Sequence, residues 1–384
     1  MPPLKSNGEP ELDRLVSELN ATALPSPGRV ARFEEWLGLI RERGASDLYL
    51  VAGAAPSIRV QGVVQPLGES PLDGDEIADC VLPVLPRHAV DQFRRHGIAD
   101  ASLRRSPGGR FRVNLHRERG RAAASIRALP LNPPQLADLD LPLQIEALTR
   151  IPHGLVLVGG PTGSGKTTTV AALVDAINRR DAKHIITIED PIEYEHPHRR
   201  SVVEQVEIGI DASDFATALR AAVRQSPDVI VVGEMRDPET MRIALAAGET
   251  GHLVLSTLHT TDVASTVSRI SDAFPTERQA TIRQELSMAL AAVMTQVLVP
   301  KPNGGRLPAA ELLVLGYGAR QHVRKNALQH LHQEITITRR SGSFTFEECL
   351  ADLVRRGRLD IEEARTRARH REELDGLLGV KATG

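Results

Sequence analysis

The chain has 384 residues, and 47 Lys and Arg against 49 Asp and Glu give it a formal net charge of −2, so no bulk electrostatic pull draws it toward nucleic acid or an acidic membrane. That length exceeds one ordinary core and predicts two or three domains. Two isolated cysteines, Cys80 and Cys349, exclude a disulfide framework or a cysteine-rich zinc cluster, and the lack of a signal-like opening or of a run near the ~18 apolar residues of a membrane span predicts a cytoplasmic protein.

Residues 1–29 mix Pro, Gly, Ser and charge without a sustained period and read as a loosely ordered extension. "ARFEEWLGLIRERGASDLYLVAG" then predicts a helix, a stop at Gly44 and a strand over 48–51. "PSIRVQGVVQPL" predicts a hairpin with Gly62 at its turn, followed by helix over 74–96. "GGRFRVNLHRERG" and "RAAASIRALP" alternate like two more strands, completing a small mixed domain over 30–129. Residues 130–152, opening with the proline-rich "LPLNPPQLADLDLP", are expected to be a stiff connector and a hinge.

A second domain over 153–300 opens with "GLVLVGG" and a helix, then returns to strand at "HIITIED", "DVIVVGE" and "HLVLSTLH". Strands alternating with helices predict an α/β fold around a mostly parallel sheet. "DFATALRAAVRQSPD" places Phe215, Ala218, Leu219, Ala222 and Val223 on one helical face. The chain beyond Pro275, led by "ERQATIRQELSMALAAVMTQVL", is expected to be mostly helical, with 301–384 as a separate C-terminal region.

Gly160-Pro161-Thr162-Gly163-Ser164-Gly165-Lys166-Thr167 matches G-x-x-x-x-G-K-[ST], follows an apolar strand and opens a helix, continuing into Thr168. Glycines let backbone amides converge on phosphate oxygens, the helix N-terminus adds partial positive charge, Lys166 reaches the β- and γ-phosphates, and Thr167 offers a hydroxyl to magnesium. The next strand ends in "TIEDPIEY", where Glu189, Asp190 and Glu193 are three carboxylates able to polarise a water, or simply a solvated acidic loop. "DVIVVGEMRD" ends in Glu234, which offers a carboxylate to the magnesium shell, whereas Asp228 stands at the wrong end of that strand. In "ETGHLVLSTLHTTD" two histidines flank a buried strand rising ~3.3 Å per residue, so they lie roughly 20 Å apart and cannot share a metal. His259 falls at the ligand edge, placed to contact the γ-phosphate; His252, at the other end, reads as structural or interfacial.

Together, "GPTGSGKTTT", "TIEDPIEY" and "DVIVVGEMRDPETMRIALAAGETGHLVLSTLHTT" resemble the Walker A, Asp box, Walker B and His box of the secretion ATPase superfamily, and within it the type IV pilus retraction (twitching-motility) ATPases. The resemblance extends through "GASDLYLVAGAAPSIRVQG" and "GRFRVNLH", covering roughly residues 30–360. It implies a PAS-like α+β domain, a RecA-like P-loop ATPase domain and a helical C-terminal region, assembled as a homohexameric ring that binds ATP and Mg2+. It further implies Glu193 as the catalytic carboxylate, Glu234 as the Walker B glutamate and His252 and His259 as the His-box pair, with Arg112 and Arg127 the candidates for arginines that complete the site. The implied partners are an inner-membrane pilus platform protein and a paralogous pilus ATPase, at the inner face of the cell membrane. Two departures stand out. The family's C-terminal "AIRNLIRE" motif reads "GARQHVRKNAL" here, keeping Ala319, Arg320, Val323 and Arg324 but losing the final acid, and residues 1–29 have no counterpart in the family core. A pilus-assembly or type II secretion ATPase is the nearest rival, although the two cysteines are too few for the four-cysteine zinc module usual there. A weakly hydrolysing accessory ring is another. The scarcity of aromatic residues speaks against a DNA translocase.

Overall fold

The computed structural model describes residues 27–105 and 109–379, so most of the proposed N-terminal extension lies outside the described residues. The chain divides into two compact units, 1–131 and 132–384.

In the first unit, α1 (Pro27–Glu42) buries Phe33, Trp36, Leu37 and Ile40, the i, i+3, i+4, i+7 stripe of an amphipathic helix. Gly44, at φ 60°, takes the left-handed conformation that ends it. Six strands follow: β1 (Asp47–Leu50), β2 (Ser57–Val60), β3 (Val63–Pro66), β4 (Ile98–Arg105), β5 (Gly109–Glu118) and β6 (Arg121–Leu129). They form an antiparallel sheet in the order β3-β2-β1-β6-β5-β4. The β2–β3 turn places Gln61 at φ 48° and Gly62 at φ 87°, the two positive values a primed two-residue hairpin requires. Two helices, α2 (Gly74–Val81) and α3 (Arg87–His96), occupy the predicted helical stretch. Strand β4 was not anticipated: its buried positions Ala99, Ala101 and Leu103 alternate correctly, but two alanines carry little hydrophobic signal.

The second unit is built on a seven-stranded sheet in the order β13-β12-β7-β11-β10-β8-β9. Its strands are β7 (Gly154–Gly159), β8 (His184–Glu189), β9 (Val202–Glu207), β10 (Val229–Val232), β11 (Leu253–Leu258), β12 (Leu290–Pro300) and β13 (Arg306–Val314). All neighbours are parallel except β12 and β13. Helices α4 (Lys166–Arg180), α5 (Phe215–Ala222), α6 (Pro238–Glu249), α7 (Val263–Asp272) and α8 (Thr276–Ala289) cover it. Residues of β7 alternate between two cores: Val156 and Val158 pack with Leu173 and Leu350 on one face, Leu155 and Leu157 with Leu245 and Leu286 on the other. Burial on both faces explains why β7, β8, β10 and β11 are nearly continuous apolar runs, while the edge strand β9 is not. Beyond the sheet, α9 (Tyr317–Arg324), α10 (Leu331–Ile337), α11 (Phe346–Arg355), α12 (Ile361–Arg367) and α13 (Arg371–Leu378) form the helical C-terminal region.

Two expectations need correction. The helix predicted to run through 298 stops at Ala289, and "LAAVMTQVLVP" is β12, paired with β7 and β13, so the sheet continues past 300 to Val314. Periodicity cannot separate a short apolar run in a doubly covered strand from a buried helix. The connector is also no free hinge over its whole length: Leu141, Ile145 and Leu148 are buried in the core of the second unit. Its leucines and isoleucine bury apolar area that outweighs what the prolines imply about exposure.

Candidate functional site

The carboxyl ends of β7, β8, β10 and β11 lie along one edge of the parallel sheet, the edge at which such sheets bind ligands. At the end of β7 the chain turns through Gly160, Gly163 and Gly165, at φ 155°, 76° and 87°. A Cβ on Gly160 would stand 2.4 Å from Ser164 Oγ and 2.5 Å from the Gln296 carbonyl, so only glycine closes this turn. Lys166, 7% exposed, donates from Nζ to the carbonyls of Gly160 (2.8 Å) and Pro161 (3.0 Å). Burial lowers its pKa, and the negative charge of Glu234 partly restores it. Ser164 Oγ is buried with no hydrogen-bond partner among the described residues. A loop of this shape, with a buried ammonium resting on its own carbonyls and an orphaned hydroxyl, fits a polyphosphate.

His259 and Glu234 converge there. His259, just after β11, has Nδ1 3.4 Å from Thr162 Oγ1 and Nε2 3.9 Å from Glu234 Oε2. Partial burial, then the charge of Lys166, hold its pKa below the usual histidine value, with the Glu234 carboxylate acting in the opposite sense. Glu234 is additionally paired with Arg236 at 2.6 Å. Thr167 stands in the first turn of α4, and its hydroxyl and the Glu234 carboxylate are the candidate ligands for a magnesium ion.

The three acidic candidates stand at the end of β8 and in the loop after it: Asp190 is exposed, and Glu189 and Glu193 have different surroundings. Glu189 accepts from Thr187 Oγ1 (2.7 Å), from Gln205 Nε2 (3.2 Å) and from the backbone N–H of Glu193, and burial raises its pKa. Its hydrogen bonds hold the loop together. Glu193 is partly buried, and its neighbour Tyr194 has its hydroxyl 3.0 Å from Thr168 Oγ1, which ties this loop to the first turn of α4.

His252 sits at the opposite end of β11, where Nδ1 lies 3.0 Å from the Ala247 carbonyl near the end of α6. Arg112 and Arg127, in the first unit, face each other directly across β5 and β6. Like charges so placed repel. Arg127 Nε donates to Asp47 Oδ1 at 2.8 Å and Arg112 lies 3.7 Å from Asp100, so each has an acidic partner.

Sequence reasoning overlooked Gln296. From β12 its Nε2 donates to the Ser164 carbonyl (2.7 Å) and its Oε1 accepts from Thr169 Oγ1 (2.8 Å), buttressing the phosphate loop from beneath. A glutamine inside the apolar run "AAVMTQVLV" was the available signal, since buried polar groups are kept where they are hydrogen-bonded. Also overlooked was Arg369, which donates to Glu311 Oε1 at 2.6 Å and to the Thr261 carbonyl, two residues beyond His259.

Residues 119–374 match the family model described as type II/IV secretion system protein. The chain is 39% identical to the type IV pilus retractation ATPase PilT of Pseudomonas aeruginosa, over 87% of this chain and 97% of that protein. It is 36% identical to the type IV pilus ATPase PilU of the same organism, over 89% and 90%. A crystal structure of the pilus retraction motor PilT with bound ADP superimposes with a TM-score of 0.81 at 40% identity, covering 88% of this chain and 98% of that one.

Proposed function

The chain belongs to the type II/IV secretion system protein family, and on that premise we propose that it is an ATP-hydrolysing motor, assembled as a homohexameric ring, that powers retraction of a type IV pilus. The observation that carries this reading is the convergence of Lys166, Glu234 and His259 on a glycine-built loop, in a chain aligned over nearly its whole length with a retraction ATPase.

Nucleotide phosphates displace the loop carbonyls as partners of Lys166, whose charge then offsets theirs. Glu193 polarises the attacking water, a role in which a positioned base contributes ~10²- to 10⁴-fold. His259 donates one hydrogen bond from a ring N–H at the γ-phosphate edge, so it reports whether that phosphate is present. Thr167 and Glu234 would hold a magnesium ion, which would supply positive charge to the phosphates. Arg112 and Arg127 are proposed to lower the barrier further once copies assemble. A pilus platform protein at the inner membrane face and a paralogous ATPase are the proposed partners.

A second reading, a weakly hydrolysing ring accessory to a stronger motor, is favoured by one observation. The C-terminal motif has lost its acid, and Arg320, which it retains, is occupied in capping α8, donating to the carbonyls of Ser287 (2.6 Å) and Met288 (2.9 Å). The test is Glu193→Gln. It should bind ATP with unchanged affinity and hydrolyse it ~10²-fold or more slowly. If Glu234→Gln behaves this way and Glu193→Gln does not, the two roles are exchanged; if wild type itself scarcely turns over, the accessory reading stands.

A further inference from the structure

A cluster of ligating side chains lies in the C-terminal region, away from the phosphate loop. His332 of α10, His370 just before α13 and Glu373 of α13 each offer one donor atom, and the three atoms lie within 4.8 Å of one another. His332 Nε2 is 3.1 Å from Glu373 Oε2, and the two imidazole rings stack with centroids 4.2 Å apart. We propose that these three residues form a binding site for a divalent transition ion of the zinc class.

The donor set suits that class: imidazole nitrogen and carboxylate oxygen are ordinary zinc ligands at about 2.0–2.2 Å, and two histidines with one glutamate leave a fourth position for water. Ligands at that distance in a tetrahedron stand roughly 3.3 Å apart, so the 3.1 Å between His332 and Glu373 already matches, and only His370 has to swing inward. Its side chain is about half exposed, which leaves room for that movement and gives the ion an entry path.

The surroundings are built to orient the ligands. Thr345 donates from Oγ1 to Glu373 Oε1 at 2.8 Å, holding that oxygen and turning Oε2 toward His332. Glu347, 1% exposed, accepts the backbone N–H of both Arg369 and His370 at 2.9 Å and lies 3.7 Å from His370 Nδ1. A buried carboxylate behind a ligating imidazole is the usual outer partner of such sites. An ion here would pin α10 to α13 and fix the backbone at His370, next to the Arg369 that reaches the His259 loop.

The test is a titration of the untagged, metal-stripped, nucleotide-free full chain with Co2+, read by its visible absorption, and with Zn2+ in competition. Wild type should bind one equivalent with the intense band of a tetrahedral nitrogen and oxygen site and no thiolate charge-transfer band. His332→Gln and His370→Gln should weaken binding at least ~100-fold, and Glu347→Gln by the ~10- to 100-fold typical of outer partners. His322→Gln, in the neighbouring histidine pair with His330, should bind as wild type does. Circular dichroism establishes that each variant is folded, and Glu373→Gln replaces any that is not. Absence of the band in wild type, a thiolate signature, or undiminished binding by folded His370→Gln protein would overturn the proposal.

Discussion

At the residue scale, the two histidines of "GHLVLSTLH" illustrate how position on a strand assigns work. The two residues flank β11, one against α6 and one between Thr162 and Glu234. His259→Ala should lower ATP turnover about fivefold, the worth of one net hydrogen bond of ~1 kcal/mol. His252→Ala should lower turnover only at low protein concentration, through assembly or packing. Turnover measured against protein concentration separates the two, and a concentration-independent loss in His252→Ala alone would reverse the assignment. A third histidine gives a pH dependence. Burial lowers the pKa of His196 from the usual 6.5 to about 4, so between those values the unfolded chain binds a proton that the folded chain does not. Stability therefore falls as pH drops from about 6.5 to about 4, by up to ~3 kcal/mol from this group, and this contribution changes no further above or below that window. Wild type should lose more thermal stability between pH 7 and pH 5 than His196→Gln; parallel losses would count against this.

At the element scale, what could be read ahead was what repeats or punctuates. Strands β7, β8, β10 and β11 announced themselves as apolar runs, the hairpin by Gly62, and the phosphate loop by its spacing, because each is a local requirement of the backbone, whereas the half-exposed edge strand β9, with Glu204, Gln205 and Glu207, gave no such run. What could not be read was partnership. Nothing local marks β12 as lying between β7 and β13 rather than extending α8, and nothing in "TIEDPIEY" tells that Glu189 is engaged by Thr187 and Gln205 while Glu193 stands next to the tyrosine that meets Thr168. Gln296 belongs to the same class of long-range fact, its side chain meeting residues more than a hundred positions away. Its replacement by leucine leaves the buried Ser164 carbonyl and Thr169 hydroxyl unpaired, at a cost of ~1–3 kcal/mol for each such group. Gln296→Leu should therefore lower the thermal midpoint by several degrees, at ~2–4 °C per kcal/mol, and weaken nucleotide binding. Calorimetry and nucleotide titration check this, and an unchanged midpoint with unchanged affinity would remove Gln296 from the supporting structure of the loop.

At the scale of the whole molecule, the division at residue 131 and the seven-stranded sheet give each unit its own core, with the candidate nucleotide site resting on the sheet edge of the second. Among the described residues no helix is long and apolar enough to cross a membrane. The proposed activity is ATP hydrolysis at the Gly160–Thr167 loop in an assembled ring. The most direct measurement is steady-state ATP turnover of the purified full chain across a range of protein concentrations, with oligomer mass determined on the same samples, for wild type and Lys166→Ala. Wild-type turnover per chain should rise as hexamers form, and Lys166→Ala should assemble yet show none, because phosphate charge is no longer offset. Turnover that survives in Lys166→Ala, or that is indifferent to assembly, would contradict the account.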